Sequence, residues 1–446
     1  MRNPVAKYIN QDLLNTGMFY VTRMFIGFLS ILFLPFFISQ QVQGYWYTFG
    51  SLSAMSVLAD LGFTTIVIQF AAHEYAFVTK NQNGFLEGEP KNIFRLFSFF
   101  RFVVKRSLFI VSISFPIILL IGIYVLQSDG HLHFFEWIIP WIIFILSSGL
   151  FFFLNLIASF FEGCDSIAII QKQRNNCLII NWAIIYSLLF LGFELYALSF
   201  GMLFSSIVLG YQIQKRFRIQ IMQIRAEWKK SDTNWNLEVT PLLWKYALSF
   251  IGGFLMIQIF TPIAFRAYGS VFSGQVGISM TLILALFQIA NIWIYIIIPR
   301  LNILVSQNDI LQLFSLFRRN FFLSLLTFFI IGCIALIALS SMPNNFSSRF
   351  LPFNILCPLL IVWFFHLIIN SLATLSRAYK VEKFVLPSIV MGIYSAVSTV
   401  LIAIYLPSEY FFWGYFSSYF FTVPWFCLIY FRHKRKILSD FKKIQI

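Results

Sequence analysis

From Gly17 to Phe431 the chain returns repeatedly to apolar runs of about 20 residues, the length a helix needs to cross the hydrocarbon of a bilayer. Twelve such runs are legible, at roughly 17–38, 45–70, 107–126, 137–160, 177–193, 195–214, 246–265, 276–298, 320–340, 353–374, 384–406 and 410–431. The fifth and sixth are divided only by Glu194 and its neighbours. Composition agrees: 59% of residues are hydrophobic and 11% charged, where a soluble domain is about half apolar and about a quarter charged. The 57 phenylalanines suit a surface that faces lipid. The expected fold is an all-α polytopic membrane protein.

The net charge of +15 would suggest nucleic acid in a soluble protein. Its placement says otherwise. With the N-terminus taken as cytoplasmic, 29 of the 32 lysines and arginines fall in the inner segments, as the positive-inside rule requires. The exceptions are Arg23 inside the first span, and Arg266 and Arg349 on the outer side. Both termini are therefore expected in the cytoplasm. The basic charge reads as a topology signal, with anionic inner-leaflet lipids as its partner and no nucleic acid. The outer loops are short, and the longest surrounds residues 341–352. No cleavable signal peptide is read at the N-terminus. The five cysteines form no CxxC and no Cys/His cluster, so neither disulfide, metal nor other cofactor is expected.

The longest inner segment, 215–245, lies at the middle of the chain and reads as a linker between two six-span lobes, 1–214 and 246–431, with a basic tail at 432–446. Three echoes relate the halves. "NLIASFFEG" (155–163) matches "NSLATLSRA" (370–378) in its Asn, Ala, hydroxyl, charge and small residue. Pro35 and Pro262 stand near the ends of spans one and seven. "NIFRLFSFFRFVVKR" (92–106) places its cations on one helical side and its phenylalanines on the other, as a basic helix lying on the inner leaflet does. "NDILQLFSLFRR" (308–319) stands at the equivalent place. Such parallel repeats are expected to be pseudo-symmetric and to enclose a central cavity.

The stretch "GYWYTFGSLSAMSVLADLGFTTIVIQF" (44–70), with Asp60-Leu61-Gly62 after an aromatic-rich start, resembles O-antigen-type polysaccharide flippases of the multidrug/oligosaccharidyl-lipid/polysaccharide (MOP) superfamily. The twelve spans, the six-plus-six repeat and the small-residue turn after span four are similar too. The resemblance implies a flippase in the bacterial inner membrane. Its cargo would be an oligosaccharide on a polyprenyl diphosphate, and its partners a polysaccharide polymerase and a chain-length regulator.

Ionisable groups inside a span face a partner or a watery cavity. Asp60 lies about 15 residues from the outer face, roughly 23 Å. Arg23 enters span one from the inner side, so the two are expected at similar depth. They form either a structural pair or a diphosphate site, with Arg23 as ligand because its planar donors take two oxygens. His366 and Asn370 lie one turn apart in span ten, Asn155 at the echoed position in span four, and Gln288 and Asn291 in span eight. Each is explained singly by a helix–helix hydrogen bond; together they suit a cavity that bonds sugar hydroxyls. Trp293 and Tyr295 either stack on sugars or pack in lipid. Arg266 either anchors the outer end of span seven or receives the diphosphate after flipping. Glu162 and Asp165 either gate the inner face by pairing with Lys172 or Arg174 or are simply solvated. His73 and Glu74 extend span two into the interface.

A cation or drug antiporter of the same superfamily is the alternative. It calls for an acidic cavity, whereas here one deep Asp stands against one Arg. A membrane polymerase or glycosyltransferase calls for a large outer loop or clustered carboxylates, and neither is present in the sequence. No GxxxxGK[ST] occurs, so ATP hydrolysis by this chain is not expected.

Overall fold

In the computed structural model, residues 4–227, 234–307, 309–379 and 384–444 are described. They divide into two compact units, Met1–Phe250 and Ile251–Ile446. The first contains α1 (Pro4–Phe37), α2 (Gln40–Ser53), α3 (Ser56–Asp60), α4 (Phe63–Tyr75), a hairpin of β1 (Val78–Lys80) and β2 (Leu86–Gly88), α5 (Pro90–Leu126), α6 (Phe134–Gly163), α7 (Ile167–Phe190) and α8 (Glu194–Ala226). Helix α9 (Trp235–Ile257) spans the boundary. The second unit contains α10 (Phe260–Ser306), α11 (Ile310–Ser341), α12 (Asn344–Ser347), α13 (Phe353–Ala378), α14 (Val385–Tyr405) and α15 (Trp413–Ile444).

Among the described residues eight helices are long and apolar enough to cross a membrane, or nine if the bent α2–α4 segment is one span. The fold is all-α and polytopic. The expected count of about twelve is reached only by adding α7, α9 and α15. Helix α7 carries the polar run Gln171–Asn176 after its first turn, and α15 contains several serines, tyrosines and tryptophans, which lowers their hydropathy. Part of α9 lies outside the residues whose side chains are described.

Local signals explain the helix starts. Ser39 caps α2 by accepting from the Val42 N–H at 3.2 Å, and Asp309 caps α11 through Gln312 N–H at 3.1 Å. Pro90 opens α5, where no amide hydrogen is needed. The span expected at 45–70 is broken. Leu61 and Gly62 both adopt positive φ, 47° and 81°, and α4 departs at 46° from the preceding segment. Similarly, Gly269 (φ 85°, ψ 178°) interrupts α10. The two stretches lie side by side there, because Ser273 Oγ donates to the Thr261 carbonyl at 3.0 Å.

The basic helix expected to lie separately on the inner leaflet does not exist as such. Residues 92–106 are the first turns of one 37-residue helix that continues as the third span. Its apolar residues Leu96, Phe97, Phe99, Phe100 and Val103 are buried in the core of the first unit. That core is aromatic: Phe99 meets Trp235 at 4.9 Å, and Phe161 stacks on Phe217 at 4.0 Å. Protein therefore covers the face that was expected to meet lipid. Likewise residues 310–319 are the first turns of α11, with Asp309 as its cap and residue 308 outside the described residues. The 215–245 segment is not a bare linker in its described parts. Residues up to Ala226 continue α8, and Trp235 and Val239 are buried in the first unit.

The hairpin was not visible in the sequence pattern. It docks on α8 through Gln220 Nε2 to Gly84 O (2.7 Å) and a reciprocal pair between Gln223 and the Leu86 backbone (2.8 and 2.9 Å). Partial burial and the neighbouring Arg216 hold the Lys80 ammonium below its usual pKa.

Candidate functional site

Each unit contains its own interior polar set. In the first, α6 and α7 meet around one guanidinium. Arg174 donates from Nε to Asn155 Oδ1 (3.1 Å), from Nη2 to Ser159 Oγ (3.1 Å) and from Nη1 to Glu162 Oε2 (2.7 Å). Gln171 Nε2 donates to the other Glu162 oxygen at 2.9 Å. Asn155, Ser159 and Glu162 lie at intervals of four and three on α6, so they share one helical face. Side-chain exposure is 16% for Arg174 and 10% for Glu162, so both charges are largely removed from water. Gly163, next along, lets α6 approach α4; a Cβ there would stand 2.5 Å from the Ile68 carbonyl. Of the two pairings open to Glu162, the fold makes the one with Arg174. Asp165 is exposed.

Arg23 and Asp60 are not brought together as an ion pair. Asp60 Oδ1 accepts from the Thr64 N–H at 3.0 Å and from Thr64 Oγ1 at 2.7 Å. It therefore caps the first turn of α4 from across the Leu61–Gly62 break. Arg23 is exposed on α1, the helix that packs against α7. Glu74, at the interfacial end of the second span, bonds Arg95 at 2.7 Å. Arg95 also reaches Glu238 at 3.0 Å and lies 4.8 Å from the Trp235 ring centre. These contacts pin the start of α9 to α4 and α5.

In the second unit, His366 and Asn370 of α13 serve different neighbours. Asn370 Nδ2 donates to Asn291 Oδ1 of α10 at 3.2 Å. Asn291 is fully buried, and its own Nδ2 has no hydrogen-bond partner among the described residues. His366 Nδ1 is 3.2 Å from Tyr419 Oη of α15, which is 3.1 Å from Tyr415 Oη. The His366 ring packs against Trp363 and Phe287 at 5.1 and 5.5 Å. Tyr415 and Tyr419 escaped the sequence reading; the available signal was two tyrosines four apart in a span, on one helical face. Gln288 is exposed on α10. Trp293 Nε1 is engaged by Thr327 Oγ1 of α11 at 2.9 Å, and Tyr295 is 55% exposed. Arg266 is exposed just before the Gly269 turn.

The two sets differ in charge. The first contains one carboxylate neutralised by one guanidinium. The second contains amides, phenols and an imidazole. From residue 251 onward the chain has four acidic residues, Asp309, Glu382, Glu409 and Asp440, all outside the apolar runs.

No family model matches the chain, and no curated protein matches it by sequence. Solved structures do match over nearly the whole length. The lipid II flippase MurJ in an inward closed conformation superposes with a TM-score of 0.58 at 13% identity, covering 97% of this chain and 90% of that one. A MATE structure in complex with MaL6 gives 0.55 at 11%, covering 98% and 97%. An inward-facing multidrug resistance MATE family transporter of the MOP superfamily gives 0.52 at 12%, covering 97% and 95%. At these identities the likeness is one of fold. The chain has the polytopic helical fold of MOP-superfamily transporters.

Proposed function

We propose that this protein is a flippase that moves an oligosaccharide linked to a polyprenyl diphosphate across the bacterial inner membrane by alternating access, with both termini in the cytoplasm. The observation that carries the reading is the character of the interior polar groups. The second unit buries Asn291, Tyr415 and Tyr419, brings the half-buried Asn370 and His366 against them, and its apolar runs contain no carboxylate. The first neutralises Glu162 with Arg174. Groups of this kind suit sugar hydroxyls and a diphosphate. Among the described residues Arg23 makes no ion pair, which leaves its planar donors for the diphosphate. Asn291, with an unused amide hydrogen, is a donor for a sugar oxygen. Carrying polar groups past hydrocarbon removes the desolvation barrier that blocks unassisted flipping.

The MATE-like antiporter remains the second reading, supported by the fold shared with the MATE structures. Exchange of cations calls for carboxylates in the interior. Asp60, inside the second span, is one candidate, and it is bonded to Thr64; Asp129, buried between the third and fourth spans, is another.

The test is deletion of the gene in the source organism, followed by assay of surface polysaccharide and of the leaflet that holds polyprenyl-diphosphate oligosaccharide. Loss of surface polymer, with complete units stranded on the inner leaflet, is expected. Units on the outer leaflet without polymer point instead to a polymerase. Unchanged glycan with new sensitivity to cationic drugs selects the antiporter.

A further inference from the structure

The basic end of each unit has a groove that the transport reading does not use. In the first unit it lies between α5, α6 and α8 and has a volume of about 850 Å³. Its walls include Phe100, Leu154, Ile157 and Ile221, and its rim carries Lys215, Arg218 and Arg225. Along α8 the lining residues Tyr211, Lys215, Arg218, Met222 and Arg225 recur at intervals of three and four, as a single helical stripe. The opposite side of the same stretch holds the hairpin through Gln220 and Gln223. At Phe217 the helix leaves α geometry (φ −111°, ψ 19°), and the ring stacks on Phe161 at 4.0 Å. The stripe is thus set in place by packing.

In the second unit the groove lies between α11, α13 and α15 and has a volume of about 500 Å³. Phe314, Phe321, Leu372 and Phe431 form its walls, and Arg318 and Lys434 supply its charge. Lys434 Nζ sits 5.1 Å from the Phe314 ring centre. Under the six-plus-six repeat expected from the sequence, these three helices are the counterparts of α5, α6 and α8. Two different sequences have therefore placed cations over an apolar groove at equivalent stations. None of the five cations is in an ion pair among the described residues. A third groove, between α13 and α15, is of similar size and apolar, but its lining includes no cation.

We propose that each of the two cationic grooves holds one anionic phospholipid, with an acyl chain against the aromatic wall and the phosphate on the lysine and arginine side chains. The charge complementarity selects a phosphate head group, and the apolar floor selects a lipid over a soluble anion. Basic pockets between transmembrane helices bind lipid head groups in this way.

The experiment is native mass spectrometry of the full chain, purified in a neutral detergent and titrated with phosphatidylglycerol or phosphatidylcholine. The wild type is expected to retain two phosphatidylglycerols with at least tenfold preference over phosphatidylcholine. The triple variant Lys215→Gln/Arg218→Gln/Arg225→Gln and the double variant Arg318→Gln/Lys434→Gln are each expected to lose one. Met222→Trp and Ser315→Trp fill the grooves with every charge in place, and each is also expected to lose one. If the charge variants fail to purify as single species, these two carry the test. Equal binding of the two lipids overturns the proposal. So does full retention in the tryptophan variants, which would reduce the effect to diffuse surface charge. Displacement of phosphatidylglycerol from both grooves by equimolar polyprenyl diphosphate also overturns it, by making them substrate sites.

Discussion

Asp60 shows how one residue acquires its place. Its carboxylate is the nearest acceptor for the first turn of α4, because Leu61 and Gly62 turn the backbone left-handed and bring Thr64 back over it. Asp60→Ala removes both bonds and should lower stability by about 1 kcal/mol, the usual worth of a helix cap. Asp60→Asn keeps an acceptor oxygen and should leave the melting temperature in detergent nearly unchanged. If Asp60→Asn keeps that stability but abolishes transport, the ionised carboxylate acts in the cycle as well. Glu162 and Arg174 make a sharper case, because each leaves the other stranded. Glu162→Gln or Arg174→Gln alone should cost about 3 kcal/mol, as a buried unpaired charge does. The double variant Glu162→Gln/Arg174→Gln should recover part of that loss in thermal unfolding. That pair was among the options legible in the sequence, since the two residues flank one short turn. Arg23 and Asp60 were placed at similar depth by the same reasoning and do not pair, because depth leaves open which way each side chain points around its helix.

At the scale of elements, close approach is set by single small residues. A Cβ on Gly122 of α5 would stand 2.1 Å from Trp141 Cζ2 of α6. Trp141 is itself tied to α5 by a bond from Nε1 to the Leu119 carbonyl at 3.2 Å. Gly122→Ala should therefore overpack the α5–α6 contact and cost about 1–3 kcal/mol, seen as a lower melting temperature with unchanged helix content. The hairpin is the opposite kind of element, held mainly by side chains of α8. Gln220→Ala/Gln223→Ala should raise hydrogen exchange across residues 78–88 while α5 and α6 keep their protection. No alternation of apolar and polar residues marks these three-residue strands, so only their tertiary partner reveals them. The long α5 was misdivided for a related reason. An amphipathic, basic stretch has the same sequence signature whether its apolar side meets lipid or, as here, Phe160 and Trp235.

For the whole molecule, the charge asymmetry predicts orientation. In a cysteine-free background, a cysteine at Asn83, in the hairpin turn, should react with an impermeant maleimide only after the membrane is opened. A cysteine at Asn345, in the short α12, should react in intact cells. The reverse pattern would invert the topology. Among the described residues the interior has no cluster of carboxylates, which supports the proposed diphosphate-bearing cargo over a cation.

Immersion in a membrane and helical structure were legible from the chain alone, and the orientation is the expectation that its charge placement sets. Hydropathy and charge act as sums along a segment, and lipid penalises any segment that breaks the sum. The positions of the polar residues were legible as well. What they bond to was decided by the tertiary structure. Successive residues turn by about 100° around a helix, so a small rotation or a break at Gly62 or Gly269 changes every neighbour. Asn370 found Asn291 and His366 found Tyr419 by that rotation, which no one-dimensional pattern records, whereas Asp60 meets Thr64 through the local turn at Leu61–Gly62.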